Sequence, residues 1–261
     1  MYKNRLSFSR TVGLIVGLYF AAFTLLSLLV KLPSVKVLAI ETATMAGSIA
    51  VIEDDTLIGE VRINVKIAHS ERVMTSVEWL LTASTLSIND IDAFAVSIGP
   101  GSFTGLRIGL STVKGLSYAA KKPIVSVPTL DAFARRLRFS SLPICPMLDA
   151  RKNEVYAALY KWENDQCTKI IPETAIAPSD FLKEIKGHTI FMGEGAKIYR
   201  ELIKEKLNGN ALFASPSEMT PSASSVAEIA IEKLKEGITA DPVSLVPFYL
   251  RRPEAEILWK G

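Results

Sequence analysis

The sequence predicts an α/β protein with a mixed β-sheet, and three observations support that fold class. First, three short apolar stretches at 35–40, 48–53 and 57–64 are separated by polar turns, which is typical of meandering strands. Second, helical and strand patterns alternate after them, as in sheets whose strands are connected through helices. Third, a glycine-rich segment joins one of these strands to a long helical pattern.

The rest of the first half follows from apolar spacing and from residues that end helices. The stretch 68–82 is predicted to be a helix. Its apolar stripe comprises Val73, Val77, Leu80 and Leu81. Strands are predicted at 93–98 and 124–127, and the helix predicted between them at 106–120 ends before Pro123, which cannot continue it.

A second unit is predicted to begin near Pro143, and its pattern looks like a degenerate repetition of the first. It opens with strands and continues with helices and a further strand. The predicted strands are 144–148, 154–162 and 189–192. One short helix is predicted to start at Ser179, and two more helices are predicted at 196–207 and 224–235. We therefore divide the chain into an apolar extension at 1–34, a first lobe at 35–140 and a second lobe at 141–261.

The glycine-rich segment GPGSFTGLRIG at 99–109 is the most informative motif. A strand, a Gly/Pro turn and a helix in succession leave backbone N–H groups at the helix N-terminus, where an anion can bind. The segment lacks the Gly-Lys-Ser/Thr of a Walker loop, and its third glycine comes one residue late for a dinucleotide fingerprint. Two interpretations stay open: a phosphate or nucleotide contact through Gly99, Gly101 and Ser102, or a tight joint without a ligand.

Glu41 stands at the predicted carboxyl end of the first strand, where open α/β sheets often bind ligands. With Thr42 and Thr44 it has the donor types for a hydrated cation and a phosphate. The alternative is a turn whose polar groups cap the local backbone.

Histidine is scarce in this chain, which contains only His69 and His188. A metal-binding helix that begins at His69 would need a second ligand one turn later, and that position is Val73. This spacing excludes a His-pair metal site on the helix, so we predict no metal ligands; that the chain has no catalytic residues is implied only by the family resemblance described below. His69 is expected to face solvent or an interface.

The predicted helix at 106–120 and its N-terminal turn contain three glycines, Gly105, Gly109 and Gly115, and each interior glycine costs about 1 kcal/mol relative to alanine. Either these residues pack against their own sheet, or a partner helix lies against a face of small residues. For the second case the predicted interface comprises His69, Met74, Trp79, Gly105, Gly109 and Ser117.

Charge and cysteine content narrow the classes of function. The formal net charge is +3, but residues 1–34 contribute four positive charges and no acid, so the remainder carries −1. This balance argues against a stand-alone nucleic-acid binder. Two cysteines without CxxC spacing favour a reducing compartment. The basic segment at 249–252 is expected to be a solvated tail.

The uncharged stretch at 11–30 is long enough for a transmembrane helix, and no cleavage site of a secretory signal follows it. One interpretation is a signal anchor. We favour another, in which the start is set too far upstream and Val35 is the true initiator, because the body looks complete without the extension.

Four segments, in this order, resemble the TsaB family, also called YeaZ. They are VLAIETAT at 37–44, GPGSFTGLRIG at 99–109, DAR at 149–151 with EVY at 154–156, and YLR at 249–251. The resemblance covers 35 to about 260. It implies a two-lobed α/β fold of the actin-like, Hsp70 and sugar-kinase (RNase H-like) type, here with an N-terminal apolar extension.

The resemblance also implies a function. The protein is expected to be a non-catalytic, cytoplasmic subunit of the complex that forms N6-threonylcarbamoyladenosine in tRNA next to the anticodon. It would bind and support the catalytic paralogue TsaD and act with the ATPase TsaE, and it would meet tRNA through the complex. It implies no intrinsic cofactor, with ATP or ADP at the complex interface, and leaves a homodimer of the isolated chain open.

Two positions depart from the family pattern. TsaD carries a metal-binding His-x-x-x-His, whereas here His69 is followed by Val73, which points to the non-catalytic partner. Glu41 stands where many family members have aspartate. The alternative functions are an actin-like ATPase and a glycoprotease-type metallopeptidase.

Overall fold

The computed structural model describes residues 34–164 and 166–251. The interpretations of the apolar stretch at 11–30, as an anchor or as part of a start set too far upstream, lie outside the described residues. Within the described part, no helix has both the length and the apolar character needed to cross a membrane. The compact unit that holds the described fold begins at Val35.

The first lobe is built on a five-stranded mixed sheet. Its strands are β1 (Lys36–Glu41), β2 (Ala46–Glu53), β3 (Thr56–Asn64), β4 (Ala93–Ser97) and β5 (Ile124–Val127), in the order β3-β2-β1-β4-β5. The first three strands form an antiparallel meander, and β4 and β5 run parallel to β1. The predicted meander and the crossovers after it are therefore present.

Two helices cover one face of this sheet, α1 (His69–Ala83) and α2 (Phe103–Ala120). The predicted apolar stripe of α1 is buried against β1, β2 and β4. Ser102 caps α2, since its side chain accepts a hydrogen bond from the Gly105 N–H. The glycine-rich segment thus ends β4 and starts α2, as its pattern predicted.

The second lobe repeats this arrangement. Its strands are β6 (Ile144–Arg151), β7 (Glu154–Glu163), β8 (Gln166–Ile176), β9 (Thr189–Met192) and β10 (Ala211–Phe213), in the order β8-β7-β6-β9-β10. Again the first three are antiparallel, and β9 and β10 run parallel to β6. The predicted repetition of the first half is confirmed.

Three short helices lie in the described part of this lobe: α4 (Pro178–Glu184), α5 (Glu194–Ile198) and α6 (Arg200–Leu207). The sequence predicted a single helix over 196–207, but the backbone leaves the helical region at Tyr199. The sequence analysis also missed β8 and β10. The pattern of β8 is interrupted by Pro172, which an edge strand tolerates because one of its sides has no strand partner.

The last helix of the described residues, α7 (Ala223–Lys235), returns to the first lobe, although the predicted boundary placed all of 141–261 in the second. It packs on the first sheet at the face opposite α1 and α2. Alanines on both sides of this contact, among them Ala39, Ala95, Ala227 and Ala230, let the helix lie close to the strands. The position of α7 depends on its packing against the first sheet, so it cannot be predicted from the order of elements along the chain.

Helix α3 (Thr129–Arg135) joins the two lobes, and the sequence analysis missed it. Leu130 and Phe133 belong to the core of the second lobe, whereas Ala132 packs in the core that α7 shares with the first sheet. Two similar sheets joined in this way form the predicted two-lobed actin-like (RNase H-like) fold. A cleft of about 600 Å³ lies between the lobes.

Candidate functional site

The cleft between the lobes is the candidate functional site, because residues of several motifs meet there. The start of α2, the turn between β6 and β7 and the segment at 249–251 all contribute to its walls. Its charged lining residues are Lys66, Asp149, Arg151, Lys152, Glu194 and Arg251. Burial next to Asp149 raises the pKa of Glu194.

The glycines of the α2 turn make room for the protein's own backbone. A side chain at Gly105 would overlap the carbonyl oxygen of Thr42, and a Cβ at Gly101 would lie 2.5 Å from the carbonyl oxygen of Ala43. These glycines therefore allow the loop after β1 to pack tightly against the start of α2. The need for glycine at these two positions is thus explained by packing within the protein.

Backbone N–H groups of the glycine-rich segment also have partners within the protein. The Gly99 N–H donates to Thr129 Oγ1 at 3.1 Å, and the Ser102 N–H donates to the Ala43 carbonyl at 2.7 Å. The Gly105 N–H donates to the Ser102 hydroxyl. Of the residues predicted to contact a phosphate, Gly101 and Ser102 line the cleft. These contacts favour a packed joint over an open anion cradle.

Glu41 and Thr42 lie beneath the cleft, with no exposed surface. The Ala43 N–H donates to Glu41 Oε1 at 2.5 Å, and Oε2 makes no hydrogen bond of standard geometry to any described residue. Burial raises the pKa of Glu41 to about 7, and the Ser97 hydroxyl and the Ala43 N–H only partly oppose this shift. Contact between this carboxyl group and a ligand in the cleft would require the loop after β1 to move.

His69 is buried, whereas the sequence analysis expected it to face solvent or an interface. Its Nε2–H donates to the Thr44 carbonyl at 2.7 Å, and Nδ1 accepts from the Arg72 guanidinium at 3.1 Å. The ring fits because Gly47 has no Cβ, which would lie 2.8 Å from Nδ1. Burial is the main cause of a lowered pKa of His69. Both ring nitrogens are thus engaged, and Val73 one turn later is in the core.

A family model described as "TsaD: tRNA N6-adenosine threonylcarbamoyltransferase" matches residues 57–259. The "tRNA threonylcarbamoyladenosine biosynthesis protein TsaB" of Bacillus subtilis is 32% identical over 226 residues, which are 85% of this chain and 97% of the relative. The chain belongs to the TsaB family. The resemblance drawn from the four motifs is thereby confirmed.

A second relative agrees with this assignment, and a solved structure shares the fold. The Escherichia coli protein of the same name is 29% identical over 233 residues, which are 86% of this chain and 97% of the relative. The structure "YeaZ from Pseudomonas aeruginosa" superposes with a TM-score of 0.70 at 24% identity, over 83% of this chain and all of that one. This structural match shows that the fold is shared.

The small residues predicted to face a partner of this TsaB-family chain point inward instead. Gly105 and Gly109 are buried beneath α2, where a side chain at Gly109 would overlap Thr42 Oγ1. Ser117 is also buried, and its hydroxyl donates to the Lys122 carbonyl at 2.6 Å. They serve the packing of α2 on its own sheet, which was the alternative interpretation.

Met74 and Trp79, the other predicted interface residues, lie on the open surface of α1 and are 50% and 61% exposed. Tyr118 on the neighbouring helix α2 is 89% exposed, and the sequence analysis did not select it. In the helical repeat of α2, Tyr118 falls outside the face that holds the buried residues, and this spacing could have identified it from the sequence as a surface residue. The apolar surface of this helix pair is therefore formed by large side chains.

Proposed function

We propose that the protein is the non-catalytic subunit of the complex that forms N6-threonylcarbamoyladenosine in tRNA next to the anticodon, where it binds and supports TsaD. Its relatives in Bacillus subtilis and Escherichia coli carry the name of tRNA threonylcarbamoyladenosine biosynthesis proteins. Together with TsaE, the two paralogues would make up the active assembly, and tRNA would be reached through that assembly. This role is exercised in the cytoplasm.

The state of His69 is the observation that carries the non-catalytic assignment. A metal ligand needs a free lone pair on a ring nitrogen, but Nε2–H donates to Thr44 and Nδ1 accepts from Arg72. The residue one turn later, Val73, has no donor atom and is buried in the core. A metallopeptidase built on this helix would have to displace the Arg72 guanidinium from Nδ1, and it would still lack its second ligand.

The proposal includes no intrinsic cofactor, and it assigns any ATP or ADP to the interface of the complex. In support, the loop after β1 occupies the space above Gly101 and Gly105. Two N–H groups at the start of α2, those of Ser102 and Gly105, already donate within the protein and are not available to a nucleotide in the cleft.

Reconstitution tests the proposal directly. Purified protein by itself is expected to show no ATP turnover, no peptidase activity and no modification of tRNA. Mixed with TsaD, TsaE, threonylcarbamoyl-adenylate and tRNA, it should yield modified adenosine, and omitting it should abolish the product. Intrinsic ATP turnover would favour an actin-like ATPase instead, and peptidase activity that requires bound zinc would favour a metallopeptidase.

The surface formed by α1 and α2 is the proposed contact with TsaD. We expect Trp79→Ala to weaken association by about 30-fold, since loss of a central aromatic contact costs about 2 kcal/mol. The melting temperature should stay near that of the wild type, because the side chain is largely exposed. The measurement is a titration with TsaD, and analytical ultracentrifugation of the isolated chain and of the variant shows whether a homodimer forms through the same surface.

Lys183→Glu is the matched control, since this lysine is exposed on α4 of the second lobe. It should bind TsaD like the wild type. Unchanged affinity of the Trp79 variant would place the interface elsewhere on the molecule.

A further inference from the structure

The segment at 248–251 crosses the cleft, although a solvated tail was expected here. On the first lobe, the Phe248 N–H donates to the Ile98 carbonyl at 2.7 Å. Gly99 permits this approach, since a side chain there would overlap the Phe248 carbonyl oxygen, and its backbone lies at φ 121°. The chain is therefore held in register with the end of β4 where it enters the cleft.

Tyr249 makes the second contact with the first lobe. Its ring stacks on Phe103 with 5.2 Å between centroids, and its hydroxyl accepts a hydrogen bond from Arg107 Nε at 3.1 Å. The Arg107 guanidinium also lies 3.9 Å from the centroid of the Phe103 ring. The Phe103 ring and the Arg107 guanidinium thus hold Tyr249 at the start of α2.

Two residues further on, the chain reaches the second lobe. Arg251 Nη1 lies 3.0 Å from Glu154 Oε2, and it also donates to the Ala150 carbonyl at 3.4 Å. Both partners flank the turn between β6 and β7, where Arg151 and two following residues have positive φ angles. A stretch of only three residues therefore connects a stacked ring on one lobe with an ion pair on the other.

The lobes have a second and stronger connection through α3. Leu130 and Phe133 are fully buried in the second lobe, and Ala132 is fully buried against α7 and the first sheet. Separating that connection would expose a packed core. The crossing at 248–251 consists of one stack and a few hydrogen bonds, and its ion pair is partly exposed. It is therefore the weaker of these two connections.

We propose that residues 248–251 form a latch across the cleft, which holds the two lobes at a fixed separation about the connection through α3. With the latch engaged, Tyr249 and Arg251 are part of the cleft wall. With the latch released, the lobes separate and the cleft widens. This regulates access to the cleft, and it depends neither on TsaD nor on tRNA.

Distance measurement between spin labels tests the latch in the full-length chain. Labels at Thr75→Cys on α1 and Glu184→Cys on α4 report the separation of the lobes. Cys167→Ser removes the exposed thiol, and Cys145 is buried. We expect one narrow distance distribution in this background. Arg251→Ala and Tyr249→Ala should each shift the distribution to longer distances and broaden it.

Further variants separate a latch from a loss of folding. Glu154→Gln removes the charge of the ion pair from the other side with little change in volume, and it should shift the distribution in the same direction as Arg251→Ala but by less, because the glutamine oxygen and the Ala150 carbonyl can still accept from Arg251. The exchanged pair Glu154→Arg with Arg251→Glu should return the distribution toward the narrow one. Lys204→Ala, which removes an ion pair within α6, should change nothing. Unchanged distances in both Glu154→Gln and Tyr249→Ala, with normal melting, would overturn the proposal.

Discussion

Gly109→Leu is expected to destabilise the protein by more than about 3 kcal/mol, because the helix has no space for a side chain on this side. The first carbon alone would overlap Thr42 Oγ1 and lie 3.5 Å from Val96 Cγ2. Thr42 cannot easily turn away, since its hydroxyl donates to the Gly105 carbonyl at 2.9 Å. For a protein of this size we expect the melting temperature to fall by about 10 °C or more, if the variant folds at all.

Gly115→Leu is the matched control on the same helix. Apart from its chain neighbours and the backbone of its own helix, no atom lies within 4 Å of the position that its Cβ would take, and Gly115 is exposed, so a side chain here meets no packed neighbour. Replacing an exposed helical glycine should raise stability by up to about 1 kcal/mol, because glycine is a poor helix former. Thermal melting by circular dichroism measures both variants. If Gly109→Leu melts like the wild type, Gly109 faces the open surface, as the sequence analysis predicted.

Glu41→Gln is expected to raise stability above neutral pH and to leave it nearly unchanged in acid. The carboxyl group is fully buried, and burial raises its pKa from 4.5 to about 7. Glutamine keeps an oxygen that accepts from the Ala43 N–H, and it carries no charge to desolvate. The expected gain at pH 8 is about 3 kcal/mol, which corresponds to the pKa difference between the folded and unfolded chains.

The direction in which stability changes with pH follows from the number of protons that the folded and unfolded chains bind. Below pH 4.5 the carboxyl group is protonated in both states, and the wild type has its full stability from this group. As the pH rises from 4.5 to about 7, the unfolded chain ionises while the folded one stays protonated, so this stability is lost. The difference in unfolding free energy between the variant and the wild type should therefore grow through this window.

Denaturant titrations at pH 4, 6 and 8 measure that difference. Glu205→Gln, which removes an exposed carboxylate on α6, should give a difference that stays small at every pH. A constant difference for Glu41→Gln across the three pH values would mean that Glu41 is ionised throughout and balanced by a partner.

Predictions from local sequence patterns were correct where a single helix or a single strand joint determines the structure. The apolar stripe of α1 is buried as its spacing requires, and the glycine-rich segment does join β4 to α2. The patterns failed where an element is short or lies at an edge. The helix α3 has seven residues, and β8 contains Pro172, so neither produces a clear period.

The candidate site shows the same division. The sequence identified the segments that line the cleft, because glycine, acidic and basic residues at strand ends are chemically distinctive. It did not reveal the direction in which they point. Gly109 and His69 were expected at a surface, and both are buried, because Thr42 and Thr44 in the loop after β1 approach them.

The sequence by itself determined the fold class, the repetition of the two halves and the family, since each rests on patterns within a few consecutive residues. Tertiary structure alone decided that α7 returns to the first lobe and that the segment at 248–251 bridges the cleft. It also decided that the glycines of α2 accommodate the chain's own backbone. These features depend on contacts between residues far apart in the chain, and a local sequence pattern does not identify such partners.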